Sequence, residues 1–281
     1  SRPASGAYVA DVTSEEERSS GMGKFGAANN IGTILGPVMV GSLVGINIFN
    51  VQIPEFGLLT PLIVMSFIMA IATFLVYLFL PNRPMSSNID TEREKIVLDK
   101  NLKILISIGV IIFTAFALVQ SITAYYVQDR FDVSLDETAK TTALLLGTMA
   151  FMAIISQLTF VQKYKGNPLN LIKFSLPLFI LSCLSIIFSP NFLFLYLGMA
   201  LMGLGMGLAS PGYTSAASLN ADKDNQGAAV GLAMIAPGIG FALGPLISGF
   251  LYSFSMNLPF IFILPLFILL AILIKRLEQL I

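Results

Sequence analysis

Apolar residues run along this chain in eight long stretches, broken mainly by glycine, proline and small polar residues. They cover roughly 24–46, 58–80, 102–127, 139–161, 170–188, 192–218, 227–253 and 258–274. About 20 mostly apolar residues suffice for a helix to cross a bilayer. Backbone groups in hydrocarbon have to be satisfied inside the spanning segment, so the pattern predicts helices. None of the stretches shows the short alternation of a membrane barrel strand. The expected product is an all-α integral membrane protein.

The composition agrees: 56% of the 281 residues are hydrophobic and 11% charged, against about 25% charged in soluble domains. Mean hydropathy is +0.83. Net charge is zero, which gives no reason to expect a nucleic-acid partner. Histidine is absent and Cys183, in an apolar run, is the one cysteine. That leaves neither an internal disulfide nor a metal site, and Cys183 reads as a small hydrophobe. No signal peptide is visible. The chain starts at Ser1, and SRPASGAYVAD reads as the tail of an earlier segment, so a fragment is expected.

With eight spans the connections alternate between two sides. Arg2, Arg18, Lys24, Arg83, Arg93, Lys95, Lys100, Lys103, Lys163, Lys165, Lys173, Lys223, Lys275 and Arg276 fall on one side, and only Arg130 and Lys140 on the other. This bias places both termini in the cytoplasm. The longest polar connection, 81–101, opens with two prolines and carries mixed charges. It reads as a cytoplasmic linker between residues 1–80 and 102–281. The outer segment 47–57 reads either as a surface-lying stretch or as a plain loop.

An internal repeat organises these spans. Gly23, Gly32, Gly36, Pro37 and Gly41 recur 208 residues later as Gly231, Gly240, Gly244, Pro245 and Gly249. Ala28, Ile31, Leu35 and Leu43 also match their counterparts, without a gap. Six spans follow the linker, and the repeat falls in the fifth of them. Its partner at 24–46 should then be fifth of six as well. Residues 1–80 would close one six-helix half, and 102–281 would form a complete second half. Parallel repeats of six spans are a transporter plan.

The glycine–proline spacing resembles the antiporter motif in the fifth helix of the major facilitator superfamily. Val40 stands where that family usually has a further glycine. Residues 7–23, AYVADVTSEEERSSGMG, resemble the family's connection from the fourth to the fifth helix, with Asp11 and Arg18 at its acidic and basic positions. The degenerate loop motif of the second half would fall at 157–166, where Lys163 and Lys165 fit and the usual Asp is missing. The drug:proton antiporter branch, which includes tetracycline exporters, is the most similar. The resemblance implies eight complete transmembrane helices plus the end of a ninth, equivalent to the end of helix four and helices five to twelve. It also implies a small-molecule substrate, protons as coupling ion, a bacterial inner membrane, a monomer without cofactors, and Asp11 and Arg18 as cytoplasmic gate residues.

Several residues carry candidate chemistry. Gly32 and Gly36 lie within about 40° of each other on a helix and form a groove for a neighbour. Pro37 removes a backbone donor and should bend its helix. Asn29 lies near that stripe and suits helix packing; Asn30, about 100° away, faces either a neighbour or the cavity. Gln120 and Thr123 sit inside the span 102–127, where polar groups tend to face the interior. Tyr125 and Tyr126 lie near its outer end as substrate contacts or interface anchors. By the resemblance this span and 192–218 line the cavity. The latter holds Gly198, Gly203, Gly205 and Gly207, then a Pro211–Gly212 break and Tyr213, either a substrate contact or an interface residue. All sixteen Asp and Glu fall in connections or at span ends, so no mid-membrane carboxylate is available to titrate. Gly21 to Gly26 matches G-x-G-x-x-G in letters, but it follows a charged loop and enters a membrane helix, so it is not a dinucleotide site. Nothing resembles a catalytic centre. The expected function is proton-coupled efflux of small amphipathic compounds by alternating access. The alternatives are an importer or symporter of a small metabolite, or an inactive fragment.

Overall fold

The structure, a computed structural model, describes residues 59–79, 100–219 and 233–280. Seven α-helices occupy them: α1 Thr60–Phe79, α2 Lys100–Phe131, α3 Leu135–Thr159, α4 Pro168–Ile187, α5 Phe192–Leu219, α6 Ile235–Tyr252 and α7 Leu258–Glu278, with a 3-10 turn at Val161–Lys163. Six of them, α2 to α7, are long and apolar enough to cross a membrane. The expected span 24–46, most of the linker 81–101 and the start of the span 227–253 lie outside the described residues.

Local chemistry sets the helix ends. Asp132, at φ 50°, reverses the chain after α2; Asp is among the few residues that tolerate this region. Ser134 then caps α3, its Oγ accepting from the Glu137 N–H at 3.3 Å, with Asp136 and Glu137 at the positive end of the helix dipole. The Oδ1 of Asn167 accepts from the Leu169 N–H at 2.9 Å, and Pro168 opens α4. These caps start α3 and α4 a few residues before the apolar runs expected at 139 and 170. The Pro211–Gly212 pair does not break α5, which continues to Leu219. Proline removes one ladder bond, but neighbouring helices support the weakened turn: Gly212 sits directly against α4 at Pro168 and Leu171.

Lipid supplies no hydrophobic drive between helices, so close backbone approach does. Helix α5 lies between α3 and α4 and carries a face for each. Gly203 and Gly207 rest on the α3 backbone at Met149 and Ala153, beside Ser156 Oγ, which donates to the Leu204 carbonyl at 3.1 Å. Gly198 rests on Ser182 and Ile186 of α4, and the Ser182 hydroxyl donates to the Gly198 carbonyl at 2.7 Å. Phe179 stacks on Phe267, centroids 5.1 Å apart, joining α4 to α7. Large side chains such as Leu62, Phe67, Phe188 and Leu246 remain exposed, as suits surfaces that meet lipid rather than water.

The helix ends sort by charge. Lys100, Lys103, Lys163, Lys165, Lys173, Lys275 and Arg276 gather at one end, where Lys173 pairs with Glu278. At the other end Arg130 donates to the Ser189 carbonyl at 3.0 Å, and the Phe131 and Phe192 rings lie 4.3 Å apart.

Candidate functional site

Helix α2 is the centre of the site. Helix α6 runs parallel to it, and the pair meets every four residues. Gly240 lies on Phe113 and Thr114, and Gly244 on Ala117 and Leu118. The Ser121 and Ser248 hydroxyls are 2.8 Å apart. The Tyr125 and Tyr252 rings follow at 6.4 Å, and the Tyr252 hydroxyl donates to Asp129 at 2.7 Å. Four-residue spacing keeps one face of each helix in contact. Of the repeated glycines, Gly240 and Gly244 make this seam. Gly249 has nothing within 4 Å among the described residues, and Pro245 is exposed within α6.

On its other flank α2 meets α5. Gly109 leaves room for the Tyr213 ring, whose hydroxyl donates to the Ala233 carbonyl at 2.8 Å. The face of α2 between α5 and α6 is half-buried and lined with aromatic rings. Phe113 meets Tyr213 edge-on at 5.9 Å, Phe241 lies 6.4 Å from Phe113, and Phe116 meets Phe241 edge-on at 6.1 Å. Gln120 stands one turn beyond Phe116, also half-buried.

The candidates from the sequence therefore separate. Gln120 and Tyr213 lie on this groove, Tyr213 fully buried at its base. Thr123 and Tyr126 turn into the bundle core. The Thr123 hydroxyl donates to the Val119 carbonyl at 2.7 Å. The Tyr126 hydroxyl lies 2.9 Å from the Ile186 carbonyl and 3.2 Å from Asn257 Oδ1. Both line a cavity of about 10 Å³ with Leu145, Met199 and Phe260, room for about one water. Tyr125 is 63% exposed on the α6 side. Asp11, Arg18, Gly23, Asn30, Gly32, Gly36, Pro37, Gly41 and Gly231 lie outside the described residues. Among the described residues the carboxylates sit at helix ends, and no cluster could hold a metal.

The family model described as Major Facilitator Superfamily matches residues 1–172 and again residues 160–279. The chain belongs to the major facilitator superfamily. That family is one of integral membrane transporters, and the six apolar helices of this chain agree with it. The chain is 26% identical over 264 residues to Multidrug resistance protein 1 of Bacillus subtilis (strain 168), covering 91% of this chain and 64% of that protein. It therefore spans less than two thirds of that relative's length. A crystal structure of a bacterial homolog of the human lysosomal transporter Spinster, inward-facing and occupied, superposes with TM-score 0.72 at 12% identity. The match covers 98% of this chain and 73% of that one. At that identity the likeness is one of fold.

Major facilitator folding also brings together residues that the sequence did not flag. Phe113, Phe116 and Phe241 are three of 22 phenylalanines and look like lipid-facing positions in a hydropathy trace. Their signal was positional: Phe116 lies one turn before Gln120, and Phe241 directly follows a motif glycine.

Proposed function

We propose that the protein exports small amphipathic compounds in exchange for protons, by alternating access in a bacterial inner membrane. The observation that carries this reading is the α2–α6 seam, where two glycines of the antiporter-like motif, Gly240 and Gly244, lie against the α2 backbone. The name of the Bacillus subtilis relative supports the substrate class. The proposal assigns residues 1–80 to the end of the first half, 81–101 to a cytoplasmic linker and 102–281 to the second half, in one monomeric chain. The basic end of the bundle faces the cytoplasm and so carries the C-terminus, as the distribution of Lys and Arg favours. Gln120, Tyr125 and Tyr213 contribute to the substrate path, with Asn30 from the first half, while Thr123 and Tyr126 shape the wall behind it. Asp11 and Arg18 belong to the cytoplasmic gate. Halves that rock about a site between them would expose the α2 groove to each side in turn.

Everted vesicles containing the protein and loaded with a pH-sensitive dye test the exchange. Lipophilic cations or tetracycline-like drugs should release protons from energised vesicles. Release no greater than from protein-free vesicles defeats the proposal.

A further inference from the structure

We infer that the groove on α2 selects ligands carrying a flat aromatic ring and a hydrogen-bonding group about 6 Å away, with Phe116 and Phe241 holding the ring and Gln120 the polar group. This rests on the transport reading above and specifies its substrate class. The spacing is that of one helical turn, four residues at about 1.5 Å each, between Phe116 and Gln120. Phe241 is 41% exposed, so part of its surface is open to a guest. Its other contacts, Phe116 at an interplanar angle of 86° and Phe113 at 39°, fix its orientation. Tyr213 supports Phe113 from below at 76°, and Tyr213 is itself anchored on Ala233. Buried Phe113 and Tyr213 thus brace the two rings that stay accessible, Phe116 and Phe241, and aromatic faces and edges favour a flat aromatic guest.

The polar half of the recognition comes from Gln120. Its amide offers two donors and an acceptor, and no described residue hydrogen-bonds it. An amide in an apolar setting needs a partner, and a ligand hydroxyl or amine can be that partner. The described charged side chains lie within about two turns of helix ends. Ring and amide, not an ion pair, therefore select the ligand on this side of the cavity.

The chain contains no tryptophan, so Phe241→Trp places one indole in the groove. In lipid nanodiscs, energy transfer from that indole to 2-(hydroxymethyl)anthracene should saturate. Transfer in Phe250→Trp, on an exposed flank of α6, should rise without saturation as the probe enters lipid. The hydroxymethyl probe should bind about tenfold more tightly than 2-methylanthracene, the size of effect expected from one hydrogen bond. Gln120→Leu should abolish that preference. A thiol-reactive dye on buried Cys183 reports unfolding of the unmutated chain, and the two probes should raise its melting temperature in the same order. Equal, unsaturable transfer at both indoles, or a preference that survives Gln120→Leu, overturns the inference. Selective binding in vesicles that exchange no protons for drug refutes the efflux reading alone. Exchange without this selectivity refutes the recognition alone.

Discussion

Gly240 offers the sharpest test of how the bundle is held together. A Cβ at this position would stand 2.6 Å from Phe113 Cβ and 2.7 Å from both the Phe113 carbonyl carbon and the Thr114 nitrogen. Carbon atoms in ordinary contact are about 3.5–4.0 Å apart. Two of the three obstructing atoms are backbone and cannot rotate away, so α6 has to retreat from α2 by about 1 Å. A gap of that size forfeits a quarter to a half of the dispersion attraction along the seam, and overpacking of this kind costs about 1–3 kcal/mol. Gly→Ala also raises helix propensity by about 1 kcal/mol, which would mask part of the loss. Gly249→Ala removes that ambiguity, because it gains the same propensity with nothing within 4 Å. The difference between the two variants isolates the packing term. A gap of about 2 kcal/mol corresponds to roughly 4–8 °C in melting temperature for a unit of this size, read by thiol exposure of Cys183 in nanodiscs. Gly240→Ala combined with Gly244→Ala should lose less than the sum, since one retreat relieves both contacts. If Gly240→Ala melts with or above Gly249→Ala, the seam is not what holds α6.

Three further outcomes follow from the same geometry. Tyr213→Phe removes the 2.8 Å bond to the Ala233 carbonyl and should destabilise by about 1 kcal/mol; Gly109→Ala, which drives a Cβ into the Tyr213 ring, should exceed it in the same melting assay. A double-mutant cycle of Ser121→Ala and Ser248→Ala should return a coupling of about 0.6 kcal/mol, the usual size for hydroxyl bonds between membrane helices, and zero coupling would deny the pairing at 2.8 Å. Because Cys183 is buried, single cysteines at Lys165 and Asp132 can be labelled from opposite sides of sealed vesicles, and labelling of both from one side would contradict the alternation of the helix ends.

Hydropathy alone determined that these segments are membrane helices: the apolar runs at 102–127, 139–161, 170–188, 192–218 and 258–274 each became one helix with ends displaced by a few residues, and the described part of 227–253 holds α6. Those displacements came from caps such as Ser134 and Asn167, which lie outside the apolar runs. The 208-residue repeat marked Gly231, Gly240, Gly244, Pro245 and Gly249 alike. The structure separates those it describes: Gly240 and Gly244 lie on the α2 backbone, where only a residue without a side chain admits so close a neighbour, and Gly249 has nothing within 4 Å among the described residues. Facing was a different matter. Tyr125 and Tyr126 are neighbours in the chain, yet one is 63% exposed and the other 1%, since adjacent helical residues point about 100° apart. A soluble helix betrays its inner face by amphipathicity, but lipid is as apolar as a protein core, so that contrast is missing here. Only the tertiary structure could send Thr123 and Tyr126 into the core, leave Gln120 on the groove, and bring Phe116 against Phe241 across 125 residues of sequence. Composition and period fix which segments enter the bilayer; the contacts between helices decide what each one faces.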